Sequence, residues 1–262
     1  LNMKKLFFPF VLVYSLFLVS CFDVQETYTL KTDGSYEVKY DMDMSGLMKM
    51  VSSFTPDSVK QADKAKGEVK DTTFNLGSAM PDSIRKKFNA QELGLLQHTD
   101  MDMKMDMPNN IMKLSVANKG KSLDELNYFF KNFGRLMKRA DVDKKIGNKN
   151  FQSDDTERGD SKSPFENNEF DYKVTATSFE RKTKADYLNA EGEGEQLKAS
   201  LKMFKAMGLK LTNTIVINLP KPAKSVNDPK AVLSADKKQV KLSMDVFENL
   251  ENPKELYLLV NY

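Results

Sequence analysis

The sequence predicts an α+β fold, an antiparallel, hairpin-built sheet or sheets with two main amphipathic helices packed on one face, and three observations carry that expectation. Two segments, SYEVKYDMDM and TDMDMKMDMP, alternate apolar and polar residues with the period of a half-buried strand. Turn signals lie at Asp33-Gly34 and at Pro108-Asn109-Asn110. Leu123, Leu126, Phe130, Phe133 and Met137 recur at helical spacing.

Taken in order, VQETYTLKT and SYEVKYDMDM flank Asp33-Gly34 as two arms of a hairpin. In the second arm Tyr36, Val38, Tyr40, Met42 and Met44 share one face, and Glu37, Lys39, Asp41 and Asp43 the other. Gly46 to Phe54 predicts a helix that Pro56 ends. The polar, Lys-rich run from Ser58 to Met80 reads as a short helix or linker. Asp82 or Ser83 is placed to cap a short helix through IRKKF. A second hairpin is expected over Leu95 to Ala117, with Met101, Met103, Met105 and Met107 on one face. Ser122-Leu123-Asp124-Glu125 fits a capping box opening the principal helix. The Gly-, Asn- and Ser-containing stretch 141–169 reads as a surface loop. Strands are expected at Phe170 to Ala176, Leu211 to Leu219, Ala231 to Ser234, Val240 to Met244 and Leu256 to Tyr262. A second amphipathic helix carries Leu197, Leu201 and Phe204.

The N-terminus points to a compartment. Lys4 and Lys5 precede an apolar run from Leu6 to Val19, then Ser20 and the only cysteine, Cys21. That is the order of a cleaved secretory signal over residues 1–20. Leu18-Val19-Ser20-Cys21 resembles the bacterial lipobox, in which the Cys thiol receives a diacylglyceryl group and the peptide is cleaved before that Cys. Acyl chains contribute about 0.8 kcal/mol per buried CH₂, and two or more hold a protein to a bilayer durably. With no second cysteine for a disulfide, residues 21–262 are expected to form one α+β domain held by its core. Loss of Lys4 and Lys5 leaves 38 basic against 37 acidic residues. That balance argues against a nucleic-acid partner, which calls for a basic patch. Phe22, standing where Asp would be the inner-membrane retention signal of enterobacteria, favours the outer membrane.

Candidate chemistry is sparse. Met101, Met103, Met105 and Met107 could offer soft thioethers to Cu(I), with His98 as an added imidazole. Strand alternation, however, puts His98 opposite Met101, and methionine commonly fills irregular core gaps. Core packing is the favoured reading, and no cofactor or metal is expected. Asp100, Asp102 and Asp106 lack the Gly turn and closing Glu of a calcium loop. SVANKGKS, Ser115 to Ser122, ends like a phosphate-binding loop but carries Ser where the first glycine belongs. No G-x-S-x-G or H-E-x-x-H is present, so only carboxylate or Ser–Lys chemistry would support an envelope hydrolase. Ser58, Thr72 and Ser83 follow Asp and precede Val, Thr and Ile, as in O-glycosylation acceptors of Bacteroidetes; helix capping is the alternative account.

Together the lipobox, the hairpin at Asp33-Gly34-Ser35, the strand pair before Ser122 to Asn127, and the segment Ser225 to Ser234 resemble Bacteroidetes-type envelope lipoproteins. The N-terminal hairpin and strand-rich C-terminus are similar to LppM-like lipoprotein domains. That resemblance implies an envelope location and lipid binding, and it brings no catalytic residues. The expected function is a lipid-anchored, non-enzymatic binding or interaction module. Its partners are the membrane through Cys21 and an envelope protein or lipid ligand. Binding of a lipid or apolar ligand between sheet and helices, Cu(I) handling and hydrolysis are the alternatives.

Overall fold

The computed structural model describes residues 22–55, 69–140, 170–184, 209–251 and 257–262, with short helical pieces at 202–203 and 205–206. The expected loop at 141–169, the first part of the polar run (58–68), Cys21 with the signal segment, and Leu197, Leu201 and Phe204 of the expected second helix lie outside the described residues. The fold is mixed α+β, with two sheets.

The first hairpin forms as read. β1 (Phe22–Leu30) and β2 (Tyr36–Asp43) pair antiparallel from Leu30 opposite Tyr36 to Asp23 opposite Asp43. The Lys31 amide donates to the Ser35 carbonyl at 2.9 Å, and Gly34 sits at φ 83°. A three-residue loop with a left-handed last residue favours glycine there, because an L side chain is strained at that φ although the surrounding space is open. β1 starts at Phe22, the residue after Cys21. α1 (Ser45–Phe54) follows β2 directly.

β3 (Val69–Asn75) lies within the stretch read as helix or linker. Its sequence VKDTTFN hides the strand because an edge position asks for little inward apolar surface. α2 (Asp82–Arg85) starts with Pro81 at the N-cap and no side-chain cap, so neither Asp82 nor Ser83 caps it. The second hairpin is shifted from the expected Leu95–Ala117. Leu95 belongs to α3 (Ala90–Gln97), and the strands are β4 (Thr99–Asp106) and β5 (Ile111–Gly120). α3 has a capping box of its own, with Glu92 N–H donating to Asn89 Oδ1 and the Asn89 amide to Glu92 Oε2.

α4 (Leu123–Arg139) is the expected principal helix. Ser122 Oγ accepts from the Glu125 amide at 3.2 Å, but Glu125 Oε2 takes the amide of Lys121 rather than that of Ser122. Leu126, Phe129, Phe133, Leu136 and Met137 are buried, each contributing roughly 1.5–3 kcal/mol. The rest comprises β6 (Phe170–Val174), β7 (Ser178–Thr183), β8 (Leu211–Asn218), β9 (Ser225–Val226), β10 (Val232–Leu233), β11 (Gln239–Asp245), α5 (Val246–Glu251) and β12 (Leu258–Asn261). Ala176 lies in the turn between β6 and β7, not in a strand.

Eight strands form one sheet in the order β10-β11-β8-β1-β2-β5-β4-β3, and β6-β7-β12-β9 form a second. One pairing departs from the antiparallel expectation, because β8 runs parallel to β1 with Phe22 opposite Leu211. A parallel neighbour must come from a distant crossover, so no local turn announces it. The second sheet and α4 cover the inner face of the first. Phe179 of β7 packs against Tyr28 with centroids 5.0 Å apart, and Phe129 of α4 stacks on Tyr40 at 6.3 Å. Asn127 joins the two covers by donating to the Val174 carbonyl at 2.8 Å and accepting from its amide at 2.9 Å.

Candidate functional site

Alternation along β1 turns Val24, Glu26, Tyr28 and Leu30 toward the second sheet, so a carboxylate enters an otherwise apolar face. Alternation along β7 does the same with Phe179 and Arg181. Glu26 is 6% exposed and Arg181 1%. Arg181 Nη2 donates to Glu26 Oε1 at 3.3 Å, and Asn213 Nδ2 of β8 donates to the same oxygen at 2.9 Å. Glu26 Oε2 accepts from the hydroxyls of Tyr28 and Tyr172. Arg181 Nε donates to the Tyr172 oxygen at 3.2 Å, and the guanidinium lies 3.5 Å over the Phe170 ring.

Burial pushes the Tyr28, Tyr40 and Tyr172 phenols up, and the neighbouring Glu26 charge adds to the rise, so all three stay protonated donors. Burial works against the Arg181 cation, yet Glu26, Tyr172 and Tyr28 together hold its pKa above the ordinary arginine range. The guanidinium therefore stays a cation facing the Glu26 carboxyl.

Two atoms of this cluster have no hydrogen-bond partner, Arg181 Nη1 and Asn213 Oδ1. One donor and one acceptor flank the same carboxylate oxygen. A second buried polar group shows the contrast. Asn118 of β5 accepts from Tyr36 OH at 2.8 Å and donates to Thr99 Oγ1 at 2.8 Å and to the Leu95 and His98 carbonyls at 3.2 Å. That network closes the C-terminal end of α3 and is complete. An incomplete network costs about 1–3 kcal/mol per orphan; among the described residues the Glu26–Arg181 cluster brings two such atoms together and so is suited to receive a further polar group.

The predicted methionine stripe is placed by β4. Met101, Met103 and Met105 are 0%, 5% and 3% exposed, and their cross-strand neighbours on β5 are Val116, Leu114 and Met112. Met107 leaves the strand for a 3₁₀ turn, where it is half-buried. His98 is exposed at the C-cap of α3 and does not join them. Among the described residues no three His, Cys, Asp or Glu side chains are grouped to hold a metal. Packing accounts for the sulfurs. Changing Met103 and Met105 together to Leu is therefore expected to cost less than about 1.5 kcal/mol and to leave Cu(I) titrations unchanged. A lost high-affinity Cu(I) isotherm in that variant would restore the metal reading.

The outward aspartates are engaged as well. Asp102 accepts from Thr73 at 2.6 Å, Asp100 from Asn75 at 2.9 Å, and Asp106 holds the turn through Asn109. β5 separates the two Asp-Met repeats, so Asp41 and Asp102 face Ser115 rather than each other. Lys113 pairs with Asp43 at 2.8 Å, whereas Lys39 reaches its own strand's Asp41 and Lys104 reaches Asp71. These strands border a groove of about 440 Å³ on the outer face. Exposed pairs of this kind are worth about 0–1 kcal/mol each.

Elsewhere, Glu92, 4% exposed, accepts from Arg139 at 2.8 Å and Arg135 at 3.2 Å. Burial opposes its charge, but the Asn89 amide and the two guanidinium groups hold its carboxyl below the usual range. Thr72 and Ser83 are exposed; Ser58 and Cys21 lie outside the described residues. Sequence reasoning passed over Glu26 and Arg181. The available signal was a charged residue on the apolar face of each strand.

No protein family matches the chain, and no curated protein does. One solved structure is similar in its trace. It is the NMR structure of the folded domain of LppM from Mycobacterium tuberculosis, with a TM-score of 0.36 and 8% identity over 92% of this chain and 89% of that one. The functional argument therefore rests on this chain's own residues.

Proposed function

We propose that the protein is a lipid-anchored, non-enzymatic binding module of the bacterial envelope, held through Cys21 and placed in the outer membrane. The observation that supports this most is the juxtaposition of lipobox and fold, in which residues 18–21 read Leu-Val-Ser-Cys and the first core strand begins at the next residue. A cleaved leader would leave an acylated residue fastened to the sheet itself. No described helix is long and apolar enough to cross a membrane. A Cys21→Ala variant is expected to carry no acyl chains and to retain its leader, both read from the intact mass. Persistence in the membrane without Cys21, with the leader removed, would refute the anchor.

For the bound ligand, the orphaned Arg181 Nη1 and Asn213 Oδ1 favour an amphiphile whose neutral polar end both accepts and donates a hydrogen bond. Apolar Val24 and Met244 border Asn213 on the same face. Because Glu26 already neutralises Arg181, the geometry suits a hydroxyl or amide better than a full anion. Mass spectrometry of natively purified protein is expected to find such a molecule in the parent and not in Asn213→Leu. Protein free of any amphiphile would count against this reading.

A further inference from the structure

The register of the large sheet gives the domain a polarity that bears on how it meets a surface. Asp23 lies opposite Asp43, so the β1 terminus following Cys21 stands beside the start of α1. Peptide geometry keeps the Cα of Cys21 within about 3.8 Å of that of Phe22. On the other side of β1, Phe22 is level with Leu211, and Thr212 pairs with Asp245, the residue before α5. One end of the sheet therefore gathers the anchor residue, the start of α1, Leu211 and Val246.

That end sets partly buried apolar side chains among charged ones, with Asp23, Lys113 and Lys210 exposed there. α1 reads SGLMKMVSSF, with no acidic residue and Lys49 as its one charge. Met48 packs against the core, while Leu47 and Met50, three apart and so on one face, are partly buried. Leu47, Met50, Leu211, Val246 and Ile111 at the start of β5 are all half-buried, each keeping part of its surface accessible. The opposite end carries Lys31, Thr32 and Asp33, all exposed.

We propose that this apolar rim, centred on Leu47 and Met50 of α1, rests in the interface of the lipid bilayer to which Cys21 is anchored. The inference rests on the anchor reading. With no spacer between the acylated residue and β1, the lipid chains pin this end of the sheet at the membrane surface. A helix there with a one-sided apolar face and a lysine has the composition of a segment lying in the headgroup boundary. The domain then stands on the bilayer with the Thr32 turn pointing away, at a height of about 30 Å given the rise of a nine-residue strand.

The chain has no tryptophan, so single tryptophans report position without background. Leu47→Trp, Met50→Trp and Thr32→Trp are made in the full, lipidated protein and reconstituted into phosphatidylethanolamine–phosphatidylglycerol vesicles, with and without dibrominated acyl chains. Flotation and quenching are read on the same samples. Tryptophans at 47 and 50, sitting about 5–10 Å into the boundary, are expected to be quenched about threefold more than the one at 32. Protein that floats with the vesicles but shows equal, weak quenching at all three positions keeps its anchor and overturns the rim. Quenching at 32 alone reverses the orientation and overturns it too. Protein that does not float overturns the anchor, and the rim proposal with it. Choosing two half-buried positions keeps the test decisive if one variant fails to fold.

Discussion

Replacing Glu26 by Leu is expected to destabilise the domain by about 3–5 kcal/mol, because it strands the Arg181 cation in a site 1% exposed. The guanidinium would keep only the Tyr172 oxygen and the face of Phe170, with Nη1 unpaired as before. Arg181→Met should cost less. Its carboxylate partner retains three donors, Asn213, Tyr28 and Tyr172, which solvate the charge in place. The double variant Glu26→Leu with Arg181→Met removes both desolvation penalties. It should recover most of the loss, since apolar replacements of buried pairs are often neutral or stabilising by about 1–4 kcal/mol. Urea midpoints at unchanged slope measure all three. A cost below about 1 kcal/mol for Glu26→Leu would mean that water reaches the cluster freely, and the argument for a ligand at the orphaned atoms would fall with it.

That asymmetry also explains what the sequence could and could not disclose. Strands whose cover is built nearby were legible, since Tyr36, Val38 and Tyr40 alternate against charged partners, and Leu123 to Met137 repeat with helical period. β3 was not, because an edge strand whose inward face carries Lys70, Thr72 and a single apolar residue, Phe74, gives periodicity nothing to detect. α3 was missed although Asn89 and Glu92 stand at capping-box spacing, a signal masked by its short apolar run. The β1–β8 pairing joins residues nearly two hundred positions apart, and no local rule reaches that far. Glu26 and Arg181 are separated by 155 residues, so neither charge could be assigned a partner until the two sheets were placed face to face. The candidate site is thus a product of tertiary structure, whereas the anchor is a product of local motif.

Gly120→Ala is expected to destabilise the domain strongly. A Cβ built at Gly120 would meet Tyr36 Cε1 at 2.2 Å, Tyr36 Cζ at 2.6 Å and Glu125 Oε2 at 2.7 Å. Tyr36 is 3% exposed and has no space to retreat into, and its hydroxyl is the donor to Asn118 Oδ1. Moving the ring would open the network that satisfies the Leu95 and His98 carbonyls, and moving Glu125 would release the Lys121 amide at the start of α4. Overpacking of this kind costs about 1–3 kcal/mol and more where several groups must shift, so a loss near the top of that range is expected in urea unfolding. The same variant tests the nucleotide-loop resemblance of SVANKGKS. If Gly120 serves packing, shortening its neighbour in Tyr36→Val should make Ala at 120 nearly neutral, with a coupling of about 1–3 kcal/mol between the two sites. If instead Gly120→Ala left stability intact and abolished binding of a nucleoside triphosphate, the glycine would have to be assigned to a phosphate and not to the Tyr36 ring.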